Sequence, residues 1–404
     1  MYHLISKKVT ISPVSTVLAI QPASTSSIKY LTLMNHSPSR EAVHRVSKAD
    51  ILRALEPFAR PDNAKEMALY LVDAVLYLAA IVTVLFAPAL AIKVVAAIVA
   101  GVKLTSFVTL GHDAAHRTLV KNKTLNHVLA RACLTPIMHN LTMWKWDHHE
   151  THHPHTNGVH FDSYTPYSKE EFDALPWRKQ QFERVIRAPN VVGFGIHYLC
   201  QRMLRVRIFP TKALPVRHRR AAWRDFAILV AYQCAFVTLL LSAPRFAPVT
   251  ALTAVLLGMI VPMCVFGTLT GASLYVMHTH RNVPWFKGEL DRKGDAAVEY
   301  CATHLSLPTP ISHLVHHVFS HSVHHAHPGV PCYNVPQAQQ RLLEMLGERA
   351  VSETMSLRRT IATMRACKLY DFQQHQWLDF DGRPTTARIR LGHAYQQPQP
   401  AQAV

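Results

Sequence analysis

The 404-residue sequence is poor in acidic residues: 25 Asp and Glu stand against 43 Lys and Arg, which gives a formal net charge of +18. No nucleic-acid-binding motif accompanies this basic excess, so we expect no nucleic-acid partner. The sequence also lacks a Gly-x-Gly-x-x-Gly loop and any Cys spacing typical of zinc or iron–sulfur sites. Its seven cysteines are scattered and odd in number, which predicts reduced thiols rather than a disulfide framework.

The two ends of the sequence differ in composition from the rest. Residues 1–46 contain no acidic residue before Glu41, and their longest apolar run, residues 17–20, is too short for the core of a signal peptide. We interpret residues 1–46 as a disordered extension, with a targeting sequence as the alternative. Residues 382–404, which end in a stretch rich in Gln, Pro and Ala, are expected to form a disordered tail.

Long apolar stretches dominate the sequence between these ends. A bilayer core requires about 20 helical residues, and four stretches approach or exceed that length: residues 69–87, 89–110, 226–242 and 249–277. Pro88 and residues 243–248 form short turns, which pair the stretches into two antiparallel hairpins. The sequence therefore predicts an all-α membrane protein with four transmembrane helices in a single domain, residues 47–381, that begins at a helix-capping pattern around Ser47.

The distribution of basic residues orients the hairpins. The only Lys or Arg residues within residues 69–110 are Lys93 and Lys103, and the only one within residues 226–277 is Arg245. The positive-inside rule then places both termini and the loop of residues 111–225 in the cytoplasm. Lys103 falls inside the second span, so we expect it near the interface or facing protein. Residues 126–143 are amphipathic and predict a helix that lies on the membrane surface.

Three histidine clusters follow the hairpins on the predicted cytoplasmic side. A histidine with a second histidine three or four residues on places two imidazoles on one face of a helix. A lone pair of this kind is usually solvated, and a contiguous histidine tract can be a weak metal buffer. Three spaced clusters on one side of a membrane instead predict a metal site, whose metal the imidazoles alone do not select. The clusters are His112-Asp-Ala-Ala-His116, His149-Glu-Thr-His152-His153 and His321-Ser-Val-His324-His325.

These clusters, with the hairpins, resemble the histidine boxes of the integral-membrane fatty acid desaturases, over roughly Lys65 to Asp381. An overlapping frame, His313-Leu-Val-His316-His317, has the same spacing as the third cluster. The segment from His321 to Asn334 resembles the family's continuation of that box, which favours the later frame. The resemblance implies a cytosolic helical cap that holds two iron ions and uses O₂. It also implies a ninth ligand from the end of the fourth span, for which His278 is our choice and His280 and His316 are the alternatives.

Some residues beside the ligands are expected to orient the imidazole rings. Asp113, Asp147 and Glu150 are the nearest carboxylates in sequence, and His316 and His317 would lie beside the ligands if the later frame holds.

The resemblance implies an O₂-dependent desaturase that introduces a cis double bond into a long acyl chain. The three residues inside the first box resemble the acyl-lipid and Δ12-type enzymes more than the stearoyl-CoA type. A hydroxylase or ketolase on the same scaffold is the alternative, and a histidine-rich metal transporter is the remote one.

The expected partners follow from the same resemblance. They are a ferredoxin or cytochrome b5 as electron donor, an acyl-lipid or acyl-thioester substrate, and membrane lipids. The expected location is a bacterial inner membrane with a cytoplasmic active site.

Overall fold

The computed structural model describes residues 46–159, 163–288 and 302–389. The predicted N-terminal extension, except residue 46, and residues 390–404 of the predicted tail lie outside this part. Most described residues are helical. The α-helices are α1 Lys48–Leu55, α2 Asn63–Phe86, α3 Leu90–His116, α4 Lys123–Leu134, α5 Leu141–Lys145, α6 Lys169–Asp173, α7 Trp177–Ile186, α8 Val191–Ile196, α9 Val216–Ser242, α10 Ala251–Val255, α11 Val261–His278, α12 Thr309–Leu314, α13 His321–Ala326, α14 Val335–Leu346 and α15 Leu357–Ala366.

Three π-helical segments continue or join these helices. The described residues also form four short strands and four 3₁₀-helices: Glu56–Phe58, Ala243–Arg245, Cys332–Asn334 and Gly347–Arg349. Trp146–His152 continues α5, His197–Ile208 continues α8, and Leu256–Ile260 joins α10 to α11. Strands β1 His304–Ser306 and β2 Ser352–Thr354 pair in parallel, with His304 opposite Ser352. Strands β3 Leu369–Asp371 and β4 Gln376–Leu378 form an antiparallel hairpin. These short pairs are minor additions to a helical fold.

The predicted membrane helices are confirmed. Within the described residues, four helical segments are long and apolar enough to cross a membrane: Asn63–Phe86, Leu90–His116, Val216–Arg245 and Ala251–His278. The first three extend past the predicted spans because polar residues prolong each helix beyond its apolar stretch. Side chains such as Leu71, Val75 and Leu78 are more than half exposed, which leaves an apolar surface for lipid to cover.

Helix α3 is the most buried of the spans and packs against both α2 and α11. Gly101 permits the close approach to α11, since a Cβ there would lie 2.7 Å from the carbonyl oxygen of Pro262. We expected Lys103 to lie near the interface or to face protein, and it faces protein. Its Nζ lies 2.6 Å from Asp73 Oδ1 of α2. Lys93 Nζ donates to the carbonyl oxygens of Val84 and Leu85, at the other end of the same helix.

Helices outside the spans form the cap that carries the histidines. The single helix predicted over residues 126–143 is wrong, because α4 ends at Leu134 and α5 starts at Leu141. Asn140 caps α5 by accepting a hydrogen bond from Met143 N, which fixes a new helix direction. Helix α1 begins as predicted, with Ser47 and Asp50 forming a capping box.

Part of the predicted tail, residues 382–389, packs against the β3–β4 hairpin. Trp377 N donates to Thr386 Oγ1, and Ile389 N donates to the carbonyl oxygen of His375. The boundaries of the predicted domain and its extensions otherwise stay predictions.

Candidate metal centre

The first histidine cluster lies in the last two turns of α3. His112 and His116 are one turn apart, and their ring centroids are 4.7 Å apart. Arg117 then adopts a left-handed conformation, φ 66°, which ends the helix directly after His116. This sharp stop leaves both imidazoles at the cap end of the spanning helix.

The second cluster lies on the π-helical segment that follows α5. In this segment His153 N donates to the carbonyl oxygen of His148, so residues five apart share a face. As a result His148 Nε2 and His153 Nε2 are 3.1 Å apart. α-Helical spacing groups His149 with His152 and His153 and leaves His148 out of the predicted ligand set. A π-helix leaves no clear signal in the sequence, so this position was missed.

The third cluster lies on the short helix α13. Gln339 Oε1 of α14 accepts hydrogen bonds from Ser322 Oγ and Val323 N, which holds the first turn of α13 in place. His321 Nε2 lies 3.0 Å from His325 Nε2, one turn further on. It also lies 3.0 Å from Nε2 of His278, the last residue of α11.

The imidazole nitrogens converge in two groups, in each of which the ligand atoms lie within 4.8 Å of one another. The first group contains five histidines and the second contains four: His112, His116, His148, His153 and His324, and His152, His278, His321 and His325.

Eight of the nine predicted ligands therefore enter the groups. These eight include all three histidines of the later frame of the third box. His280, His313, His316 and His317 enter neither group.

The spacing of these nitrogens fits ligands that share an ion. His112 Nε2 and His324 Nε2 are 2.9 Å apart, and His324 Nε2 and His153 Nε2 are 3.0 Å apart. Imidazole nitrogens lie about 2.0–2.1 Å from an ion such as zinc, so two ligands at right angles are about 3 Å apart. The donor set is all nitrogen, which suits iron, zinc or copper better than magnesium or calcium.

His149 is the predicted ligand that lies outside both groups. Its ring centroid is 4.0 Å from that of His116, so it borders the first group. Its Nε2 is buried and has no hydrogen-bond partner, and the same holds for His116 Nε2. A buried imidazole nitrogen without a partner is costly unless it binds something, so both atoms fit donors to an ion.

Burial affects the pKa of several of these rings. Burial, reinforced by the neighbouring histidines, holds the pKa of His148, His321 and His325 well below the usual value of 6.5. The same causes lower the pKa of His153 to about 2. Neutral imidazoles keep a lone pair for a metal, and without a metal the crowded rings cannot all carry charge.

An apolar cavity opens onto the first group and onto His321 of the second. Helix α3 contributes Val108 and Thr109 to its wall, and α11 contributes Leu274 and Met277. His112, His148, His321 and His324 also line it. The arrangement can hold an extended apolar ligand against the metal-binding histidines.

Comparison with known proteins identifies the family in which this combination of membrane helices and histidine groups occurs. A model of the fatty acid desaturase family matches residues 86–356. The chain belongs to the fatty acid desaturase family. This membership confirms the resemblance drawn from the histidine boxes.

Several curated relatives are similar to the chain. The chloroplastic omega-6 fatty acid desaturase of Brassica napus is 24% identical over 282 residues, which cover 70% of this chain and 60% of the relative. The sn-1 oleoyl-lipid 12-desaturase of Synechocystis sp. is 24% identical over 273 residues, covering 67% of this chain and 74% of the relative. The sn-1 acyl-lipid omega-3 desaturase (ferredoxin) of Synechocystis sp. is 23% identical over 263 residues, covering 62% and 67%. The chain thus spans about 60% of the length of the first of these relatives.

Two residues outside the predicted set contact imidazole rings of the two histidine groups. Asn157 Oδ1 lies 3.2 Å from His278 Nδ1, and Thr156 Oγ1 lies 3.2 Å from His325 Nδ1. Thr156 and Asn157 lie three and four residues after the second box, and this proximity is the signal that could have found them. Such contacts fix which ring nitrogen carries the proton and how the ring is turned.

The three carboxylates expected to orient the rings differ in what they contact. Asp113 Oδ1 lies 2.9 Å from His112 Nδ1, and its Oδ2 accepts a hydrogen bond from Cys332 N at 2.8 Å. Asp147 instead pairs with Arg202 and Arg207, both at 2.7 Å. The π-helical winding turns it away from the imidazoles.

The remaining residues of the expected set also contact other groups. Glu150 lies at the surface and pairs with Arg217 at 2.7 Å. His316 Nε2 lies 2.6 Å from Asp73 Oδ2, and His317 Nδ1 lies 2.8 Å from Ser312 Oγ. Of the five residues, only Asp113 has a described hydrogen bond to a ring of the two groups.

Proposed function

We propose that the protein is an O₂-dependent fatty acyl desaturase that introduces a cis double bond into a long acyl chain of a membrane lipid. The observation that carries this proposal is the convergence of nine histidines in two groups, four of whose members line an apolar cavity. Membership of the fatty acid desaturase family supports the reaction class. The printed names of the two Synechocystis relatives, which include oleoyl-lipid and acyl-lipid, support an acyl-lipid substrate over an acyl thioester.

The two groups would hold two iron ions. We assign His112, His116, His148, His153 and His324 to one ion and His152, His278, His321 and His325 to the other, with His149 as a further donor beside His116. When bound, the irons would supply the O₂ chemistry that removes hydrogen from an unactivated methylene, which no amino-acid side chain can do.

The protein's own residues prepare the site for this chemistry. Asp113 accepts a hydrogen bond from His112 Nδ1–H, which leaves the Nε2 lone pair directed into the first group. Asn157 and Thr156 turn the rings of His278 and His325 in the second group. Trp144 is buried against the edges of His112 and His116 and helps to exclude water.

The cavity would position the substrate. Its wall between α3 and α11 is mostly apolar, with Val108, Leu274 and Met277 among its residues, so it suits methylene groups. An acyl chain held there would present a few carbons to the histidine groups, and the depth of insertion would set the position of the double bond.

We propose a ferredoxin or cytochrome b5 as the electron donor. A Synechocystis relative whose printed name includes ferredoxin supports the first of these. The basic residues outside the spans suit an acidic carrier and support a cytoplasmic site in a bacterial inner membrane.

The test is a lipid profile of a heterologous host that expresses the chain with a ferredoxin partner. Gas chromatography–mass spectrometry with localisation of double bonds should find a new unsaturated acyl chain that is absent with His153→Ala. A hydroxylated or keto product would refute desaturation in favour of an oxygenase. The absence of any new product would count against an acyl substrate.

A further inference from the structure

A buried charged network joins the first membrane hairpin to the segment that precedes the third histidine box. Asp73 of α2 accepts from Lys103 Nζ of α3 through Oδ1 and contacts His316 Nε2 through Oδ2, each at 2.6 Å. All three side chains are buried. A charge removed from water in this way needs partners, and Asp73 has one on each carboxylate oxygen.

The segment that the network holds has an unusual backbone. His316 and His317 both adopt left-handed conformations, with φ 50° and 57°. Non-glycine residues stay in this conformation where surrounding contacts hold them. Besides Asp73, these contacts are Ser106 Oγ, which donates to the carbonyl oxygen of Leu314, and Ser312 Oγ, which pairs with His317 Nδ1.

The same segment forms part of the cavity wall. His316, His317 and Val318 line the cavity together with Val108 and Thr109 of α3. Lys103 lies nine residues before His112, which is about 14 Å along the helix at 1.5 Å per residue. The network is therefore displaced along α3 from the metal-binding histidines. At this level the protein would hold the acyl chain in place, and the chain would be oxidised further along the helix.

We propose that Asp73, Lys103 and His316 are positioning residues that fix this wall and so determine which carbons of the acyl chain reach the metal centre. The inference rests on the proposed desaturase function and deepens it. If Asp73 no longer holds His316, the two left-handed residues can relax, the wall moves, and the chain can settle at other depths.

The experiment measures positional isomers of the product, not only its amount. Asp73→Asn and His316→Leu should raise the share of product with a displaced double bond at least tenfold, with unchanged metal content per chain. His316→Gln keeps a side-chain N–H donor and should restore much of the original isomer ratio. A role in folding alone would lower the yield and leave this ratio unchanged.

Lys93→Met is the matched control, because Lys93 is also a buried lysine of α3 but bonds to the carbonyl oxygens of Val84 and Leu85. It should leave the isomer ratio unchanged. Where the single variants fail to accumulate, Asp73→Leu/Lys103→Met/His316→Leu removes all three side chains of the network together, which buried ion pairs tolerate better than the loss of one partner.

The original isomer ratio in either the single or the triple variants would overturn this inference and leave the proposed function standing. Absence of any unsaturated product from the unaltered chain would refute the proposed function, and this inference with it.

Discussion

Asp113 should control metal affinity through His112. Its two carboxylate oxygens accept from two donors, His112 Nδ1–H at 2.9 Å and Cys332 N–H at 2.8 Å. The Asp113→Asn variant keeps the shape of the side chain but offers one acceptor oxygen, because the amide nitrogen is a donor. One of the two buried donors must then lose its partner.

The size of the effect follows from that lost bond. A buried donor left without a partner costs about 1–3 kcal/mol, and removal of a residue that orients a metal ligand typically weakens metal binding about 10–100-fold. A tenfold change corresponds to about 1.4 kcal/mol, so the two estimates agree. We therefore expect the Kd for iron to rise about tenfold to hundredfold in Asp113→Asn.

Competition with chelators of graded affinity, read by elemental analysis of the purified protein, measures this Kd. Glu150→Gln is the control, since it removes the same charge from an exposed carboxylate that pairs with Arg217, and a surface ion pair contributes little. Our reasoning fails if Asp113→Asn binds iron as tightly as the unaltered chain, or if Glu150→Gln weakens binding equally.

Two further predictions concern single histidines. His148→Ala should lower the bound metal as strongly as His153→Ala, and an unchanged metal content would exclude His148 from the centre. Burial lowers the pKa of His139 to about 3, below about 6.5 in an unfolded chain, so unfolding takes up a proton at acidic pH and stability falls as pH drops below about 6.5. Between pH 5.5 and 4.5 the unfolding free energy should fall by about 1 kcal/mol more in the unaltered protein than in His139→Gln. SDS titration measures this fall, and equal slopes for the two proteins would contradict the prediction.

Structural features that follow from a periodic or a long apolar pattern could be predicted from the sequence. Contacts between distant segments could not. The four spans follow from apolar length, and the pairing of His112 with His116 follows from α-helical spacing. The role of His148 depends on the π-helical turn that brings it beside His153. Local π-winding depends on tertiary packing rather than on a periodic pattern, so reasoning at 3.6 residues per turn directs attention to His149 instead.

The contact between Asp73 and Lys103 illustrates the same limit. Each residue is a single charge within an apolar stretch, and the sequence gives no relative depth for two helices of a hairpin. The lysine could be predicted to face protein because a charge in lipid is costly. Its partner emerges only when α2 and α3 are placed side by side, and the third member, His316, comes from 213 residues further along the chain.

These buried charges also bear on the alternative of a metal transporter. A transport path requires polar or ionisable groups that face a water-filled route through the spans. Lys93 bonds to backbone carbonyl oxygens of its own hairpin, and Lys103 and Asp73 neutralise each other. Each of these charges is thus engaged by a protein partner, while the histidines gather at the cap ends of the helices. Such an arrangement stabilises helix packing and a fixed metal centre, and none of these three charges is left free to line a path for an ion.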